Sequence, residues 1–249
     1  MTVDRIKDKI LSFLWQHLLL LFSLYLMTLG VVLCIKSDLG SSVISSLPLS
    51  FSIAGSRGFV PELTVGEYTI AMNFVLVFLQ ILILRKRFNP VQLFQLLIGL
   101  VFGWFIDFNM YLTSVCSFDS LTAKMLAQFG GCTVMGVGIA FEVRCGSITM
   151  PGEGLPVALS RVTGMPFPKL KIYVDTILVL LAIASSYLFF DIWEWSIIGP
   201  GTLFAMVYVG LAVRFVTAHT SWFDRMLLYR PGFRRYVYGL ARFIKLPSK

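Results

Sequence analysis

Charge is scarce in this 249-residue chain: Asp, Glu, Lys and Arg make up 14% of it, against roughly 25% in an ordinary soluble domain. Histidine is nearly absent, and His17 and His219 stand too far apart in sequence to pair as ligands. The cysteines, Cys34, Cys116, Cys132 and Cys145, form no C-x-x-C and have no His pair nearby, which argues against a zinc site and a disulfide framework. H-E-x-x-H, G-x-S-x-G and Walker A sequences are missing too. No catalytic residue, metal or cofactor is therefore assigned, and the chain reads as a non-enzyme.

Apolar residues fill the space: 57% of the chain is hydrophobic, with mean hydropathy +0.82. Burying that much inside one water-soluble globule would leave too few polar groups to cover it, which excludes a cytosolic enzyme. A helix crossing the hydrocarbon needs about 20 apolar residues. Six runs qualify: Phe13 to Ile35, Tyr68 to Leu84 (completed by Leu63 to Glu67), Pro90 to Leu112, Ala123 to Phe141, Ile172 to Phe190 and Ser196 to Phe215. Val43 to Ala54 and Leu155 to Thr163 are apolar but too short to span, and Gly, Ser and Pro flank them. The N-terminal uncharged run, Ile10 to Ile35, exceeds a signal peptide's apolar region of about 7 to 15 residues and reads as the first crossing.

Lys and Arg sort to the cytoplasmic side of membrane proteins. With the N-terminus inside and six crossings, the inner segments hold Arg5, Lys7 and Lys9, then Arg85 to Arg87, then Arg144, Arg161, Lys169 and Lys171, and eight basic residues from Arg214 to Lys249. Only Lys36, Arg57 and Lys124 remain outside, so the net charge of +8 reads as a topology signal rather than a nucleic-acid footprint. This predicts a multi-pass membrane protein with both termini cytoplasmic.

The two halves resemble one another. Gly30-Val31 to Gly40-Ser41 and Gly136-Val137 to Gly146-Ser147 both read G-V-x8-G-S. Leu47-Pro48 parallels Leu155-Pro156, Asn73 parallels Asp175, and Gly103 with Phe108 parallels Gly210 with Phe215. Each half has three spans and one short element, so the second is expected to sit upside down relative to the first. The predicted fold is an all-α integral membrane protein: six helices in an inverted 3+3 repeat, with a short re-entrant helix after the first span of each half. The expected divisions are a cytoplasmic N-terminus (1–12), a first repeat (13–112), a second repeat (123–217) and a basic amphipathic tail (218–249).

Two short helices dipping in from opposite faces would aim their N-terminal N–H groups at mid-bundle, suiting a small polar or anionic solute. Gly40, Ser41, Gly146 and Ser147 at the helix breaks are candidate binding residues. So are Asn73 and Asp175, with Asp175 equally suited to capping a helix start near Lys169 and Lys171. Glu153, between two glycines in a loop-like stretch, is either a ligand contact or a solvated turn residue. Lys36 and Asp38 correspond to Glu142 and Arg144 with the charge order reversed. They read either as gates or ion-coupling groups, or as interfacial pairs. The tail mixes aromatics such as Trp222 and Tyr236 with seven basic residues, as in a helix lying on anionic lipid head groups.

The Gly30-x9-Gly40-Ser pattern and its repetition, Pro151-Gly-Glu-Gly-Leu155 before Leu159-Ser-Arg-Val-Thr-Gly164, and Gly199-Pro-Gly-Thr202 with Gly210 resemble the YczE/YyaS/YitT-type bacterial integral membrane proteins. The resemblance covers residues 20 to 216. It implies a bacterial inner-membrane protein and transfers no catalytic residue. The first half, at Ser41 to Ser46, lacks the acidic or tryptophan-bearing turn of that family. The function expected is a secondary transporter or facilitator of a small polar or anionic solute. A channel, or an accessory subunit acting through a partner or as a homo-oligomer, stays open.

Overall fold

Backbone amides in hydrocarbon find no water, so an apolar chain must satisfy them internally, and helices are the local solution. The computed structural model describes residues 3–145 and 149–227. All the regular structure among them is helical: α1 (Val3–Lys36), α2 (Val43–Ser56), α3 (Val65–Leu84), α4 (Phe94–Leu112), α5 (Leu121–Cys145), α6 (Pro151–Thr163), α7 (Phe167–Phe190), α8 (Pro200–His219) and α9 (Ser221–Leu227), with 3-10 turns at Arg85–Arg87 and Pro90–Leu93. Among the described residues six helices are long and apolar enough to cross a membrane, the same six that hydropathy marks. The chain is a multi-pass membrane protein. Side chains such as Leu180, Leu188, Val207 and Phe215 are exposed on these helices, as lipid contact requires.

Helices α1 and α5 form the centre. In each, 56% of the most apolar window is buried, against 33% or less in the other four. Glycines set their separation. A Cβ on Gly30 would stand 2.5 Å from the Gly131 carbonyl oxygen and from the Met135 amide nitrogen; one on Gly131 would stand 2.8 Å from the Gly30 oxygen. The Cys34 and Cys132 sulfurs meet 3.7 Å apart along the same seam. Around this pair, α4 packs on α1 and α8 on α5; α2 packs on α3 and α7, and α6 on α7 and α3. The halves differ in one place. Helices α3 and α4 lie along each other, whereas no comparable packing joins α7 and α8.

Helices α2 and α6, of 14 and 13 residues, are about 20 Å long, short of the roughly 30 Å hydrocarbon layer. Both are largely buried among the long helices, and Ile44, Leu47, Met72, Leu76, Leu155, Val174 and Leu178 pack together where α2, α3, α6 and α7 meet. Helix α6 starts at Pro151, four residues before the apolar stretch, because proline at the first helical position loses no needed N–H and has its φ preset. Glu153, expected in a loop, therefore stands in the first turn of α6. Helix α7 likewise begins at Phe167 rather than Ile172, which places Asp175 about two turns inside it.

The break after α1 is a joint between halves. Gly40 adopts φ +113°, where a side chain is strained, and a Cβ there would lie 2.5 Å from the Gly199 nitrogen. The Ser41 N–H and hydroxyl both donate to the Ile197 carbonyl, at 3.0 and 2.9 Å, and the Gly201 N–H donates to Leu39 at 2.8 Å. Its counterpart, Gly146 and Ser147, lies outside the described residues, as does the tail beyond Leu227. The part of the tail that is described, α9, docks on the bundle: Phe223 is buried and stacks on Phe141 with centroids 4.3 Å apart, and the Trp15 indole donates to the Met226 carbonyl at 2.8 Å.

Candidate functional site

The polar side chains that membrane burial makes costly gather around the start of α6. Asn73 and Gln80, seven residues apart and so on one face of α3, are each 1% exposed, and Gln95 on α4 is 3% exposed. The Gln80 amide nitrogen donates to the Pro151 carbonyl at 3.3 Å, which ties α3 to the first residue of α6. That oxygen and the Gln95 side-chain oxygen would each lie 2.6 Å from a Cβ on Gly154. The two oxygens thus converge on the spot that glycine leaves open, within twice that distance of each other. Asn73 packs against Gly99, one turn further along α4, where an added Cβ would meet its amide at 3.1 Å.

Two carboxylates join them. Glu142, on the last turn of α5 and 3% exposed, accepts the Met150 N–H at 3.0 Å through Oε1. Glu153 follows on α6. Glu142, Glu153, Lys171 and Asp175 are close enough to act on one another electrostatically. Burial pushes the Glu153 carboxyl above its ordinary range; Lys171 opposes this and Asp175 adds to it. Lys171 is already engaged with Asp175, one turn along α7, at 2.8 Å. Burial and hydrogen bonding normally go together, yet Gln80 Oε1, Gln95 Oε1, Glu142 Oε2, Glu153 Oε2 and both polar atoms of the Asn73 amide are buried with no hydrogen-bond partner.

The other sequence candidates go elsewhere. Asp38, at φ 57°, pairs with Lys124 at 2.9 Å, and Arg57 pairs with Glu194 at 2.7 Å while covering the Phe190 ring. Two of the three basic residues assigned to the outer face are thus matched by acids, and Lys36, the third, is partly buried at the end of α1. Arg144 donates to the carbonyls of Thr217 and, at 2.8 Å, Thr220, so it caps the C-terminal end of α8 where carbonyls lack helical partners. Gly40 and Ser41 serve the joint with Ile197 to Gly201. Sequence reasoning singled out Asn73, Glu142, Glu153 and Asp175 but missed Gln80 and Gln95. The available signal was an amide inside an apolar run, at Gln80 in particular.

The model for a family of unknown function, DUF6198, matches residues 14–218. The chain belongs to that family. The match reaches into all six crossings and covers the whole polar cluster, so the cluster lies within the unit that defines the family. No curated protein and no solved structure matches the chain. Among the described residues no group of three or more His, Cys, Asp or Glu side chains is placed to hold a metal ion.

Proposed function

We propose that the chain is a secondary transporter or facilitator of a small polar solute, not an enzyme, with its binding site at the start of α6. One observation carries this reading: buried, unpartnered amide and carboxylate groups from α3, α4 and α5 surround the first turn of a helix too short to cross the bilayer. A polar cluster with no bonding partners destabilises the protein on its own and has a use when a ligand supplies the missing bonds. Supporting it, the packing pattern maps onto itself when α1 to α4 are exchanged for α5 to α8, with α7 against α8 as the exception. This is the pattern that an inverted repeat generates, and rocking one half against the other would open the site alternately to each side.

The sign of the site differs from the sequence expectation. The backbone N–H at the α6 cap is met by the chain's own Glu142, and the neighbouring free groups are mostly oxygens, so positive charge or hydrogen-bond donors suit it better than an anion. Reconstituted into liposomes, the protein should show saturable uptake of a solute first found by its thermal stabilisation of the purified protein. Glu153→Gln should reduce that uptake at least tenfold with insertion intact. Unchanged uptake in this variant removes Glu153 from the site.

The orientation proposed, with both ends of the chain in the cytoplasm, rests on the distribution of Lys and Arg. A cysteine placed in the Arg85–Arg87 turn should react with an impermeant thiol reagent only in inside-out vesicles. One at Asp191 should react only in intact cells. The reverse pattern inverts the topology.

A further inference from the structure

We propose that the cluster at the start of α6 binds a small monovalent cation, held by the amide oxygens of Gln80 and Gln95 and the carboxylates of Glu153 and Glu142. The proposal deepens the carrier reading by supplying its coupling ion, but cation binding stands or falls separately from transport. Three observations carry it. First, the four oxygens named are buried acceptors without hydrogen-bond partners, and Gln80, Gln95 and Glu142 are each at least 97% buried as residues. Hard cations are held by such carbonyl and carboxylate oxygens.

Second, the amide oxygens converge. The Gln80 and Gln95 oxygens would each lie 2.6 Å from a Cβ on Gly154, so they stand within twice that distance of each other beside a residue with no side chain. The Gln80 nitrogen also faces Gly154 but is already bonded to the Pro151 carbonyl, so the oxygen is the free group of this amide. Third, Lys171, the lysine that acts on both Glu142 and Glu153, is already engaged by Asp175 at 2.8 Å, so it does not complete their bonding. Two neutral amides in the ligand set, and no grouping of three acidic side chains suited to a metal among the described residues, fit a single charge better than a double one.

The test is thermal unfolding of the full-length protein purified in detergent. It is titrated with sodium, potassium or ammonium chloride, with choline chloride holding ionic strength constant. The expected result is a saturable rise in Tm with at least one of the three, none with choline, and an apparent affinity at least tenfold weaker in Gln80→Leu and in Glu153→Gln. Gln95→Leu, on a different helix, replaces either variant if it fails to elute as a folded monodisperse species. Ammonium alone being effective would assign the site to protonated amines; sodium or potassium being effective would assign it to alkali ions. The proposal is overturned if none of the three salts acts saturably, or if the midpoint is the same in the folded variants. Saturable cation binding without any solute uptake in liposomes would refute the carrier reading and leave the ion site standing.

Discussion

Replacing Gly30 with leucine should leave no folded, monodisperse protein after membrane extraction. The Cβ alone would be placed 2.5 Å from two backbone atoms of α5, the Gly131 oxygen and the Met135 nitrogen. Neither can rotate aside, so relief requires moving α1 away from α5 and opening the most buried seam of the bundle. Overpacking by a methylene or two costs typically about 1–3 kcal/mol. Leucine adds four carbons against rigid backbone and should reach or exceed the upper figure, a large part of the roughly 5–15 kcal/mol that stabilises a typical domain. Gly30→Ala should be intermediate. Gly130→Ala is the control: nothing lies within 4 Å of its added Cβ, and alanine is the better helix former by up to about 1 kcal/mol. Gel filtration and thermal unfolding of the three variants read the series. A folded, wild-type-like Gly30→Leu protein would show that α1 and α5 do not pack as described.

The double substitution Gln80→Leu with Gln95→Leu should have the opposite effect on stability and the largest effect on binding. Each wild-type amide buries an oxygen with no partner, and an unsatisfied buried polar group costs about 1–3 kcal/mol. Leucine of similar bulk removes that cost and gives up the 3.3 Å bond from Gln80 to the Pro151 carbonyl, leaving a net gain of about 1–2 kcal/mol. For a chain of this size that corresponds to a rise in Tm of roughly 2–8 °C in choline chloride. The same variant should lose its thermal response to sodium, potassium and ammonium. More stable when empty and blind to cations is the signature of groups kept for a ligand. Loss of stability would mean instead that the amides hold the bundle together.

The helical layout was legible because hydrocarbon imposes a length and a composition on every crossing, so the runs of uncharged residues and the positions of Arg85 to Arg87 and Asp191 to Glu194 were enough to place six spans. The ends of α6 and α7 were less legible. Pro151 and Phe167 start helices ahead of the apolar stretch, and hydropathy does not register a helix whose first turn is polar. Charge alone also misassigned partners. Asp38, two residues from Lys36, read as part of a gate or an interfacial pair with it, but a left-handed turn at Asp38 swings the chain out and brings it to Lys124 on α5. Arg144, read as a gate, reaches the exposed carbonyls at the end of α8, contacts that only packing creates.

What the amino-acid order determines by itself is the membrane class, the number and approximate limits of the crossings and the two short apolar elements, since each depends on local composition and spacing. Tertiary structure alone decides that α1 and α5 are the central pair, that Gly40 and Ser41 form a joint with Ile197 to Gly201, and that Gln80 and Gln95 converge on Gly154 beside Glu142 and Glu153. The physical reason is that solvent preference is a property of a residue and its neighbours along the chain. A missing hydrogen-bond partner is a property of everything packed around an atom, and no reading along one strand of sequence contains it.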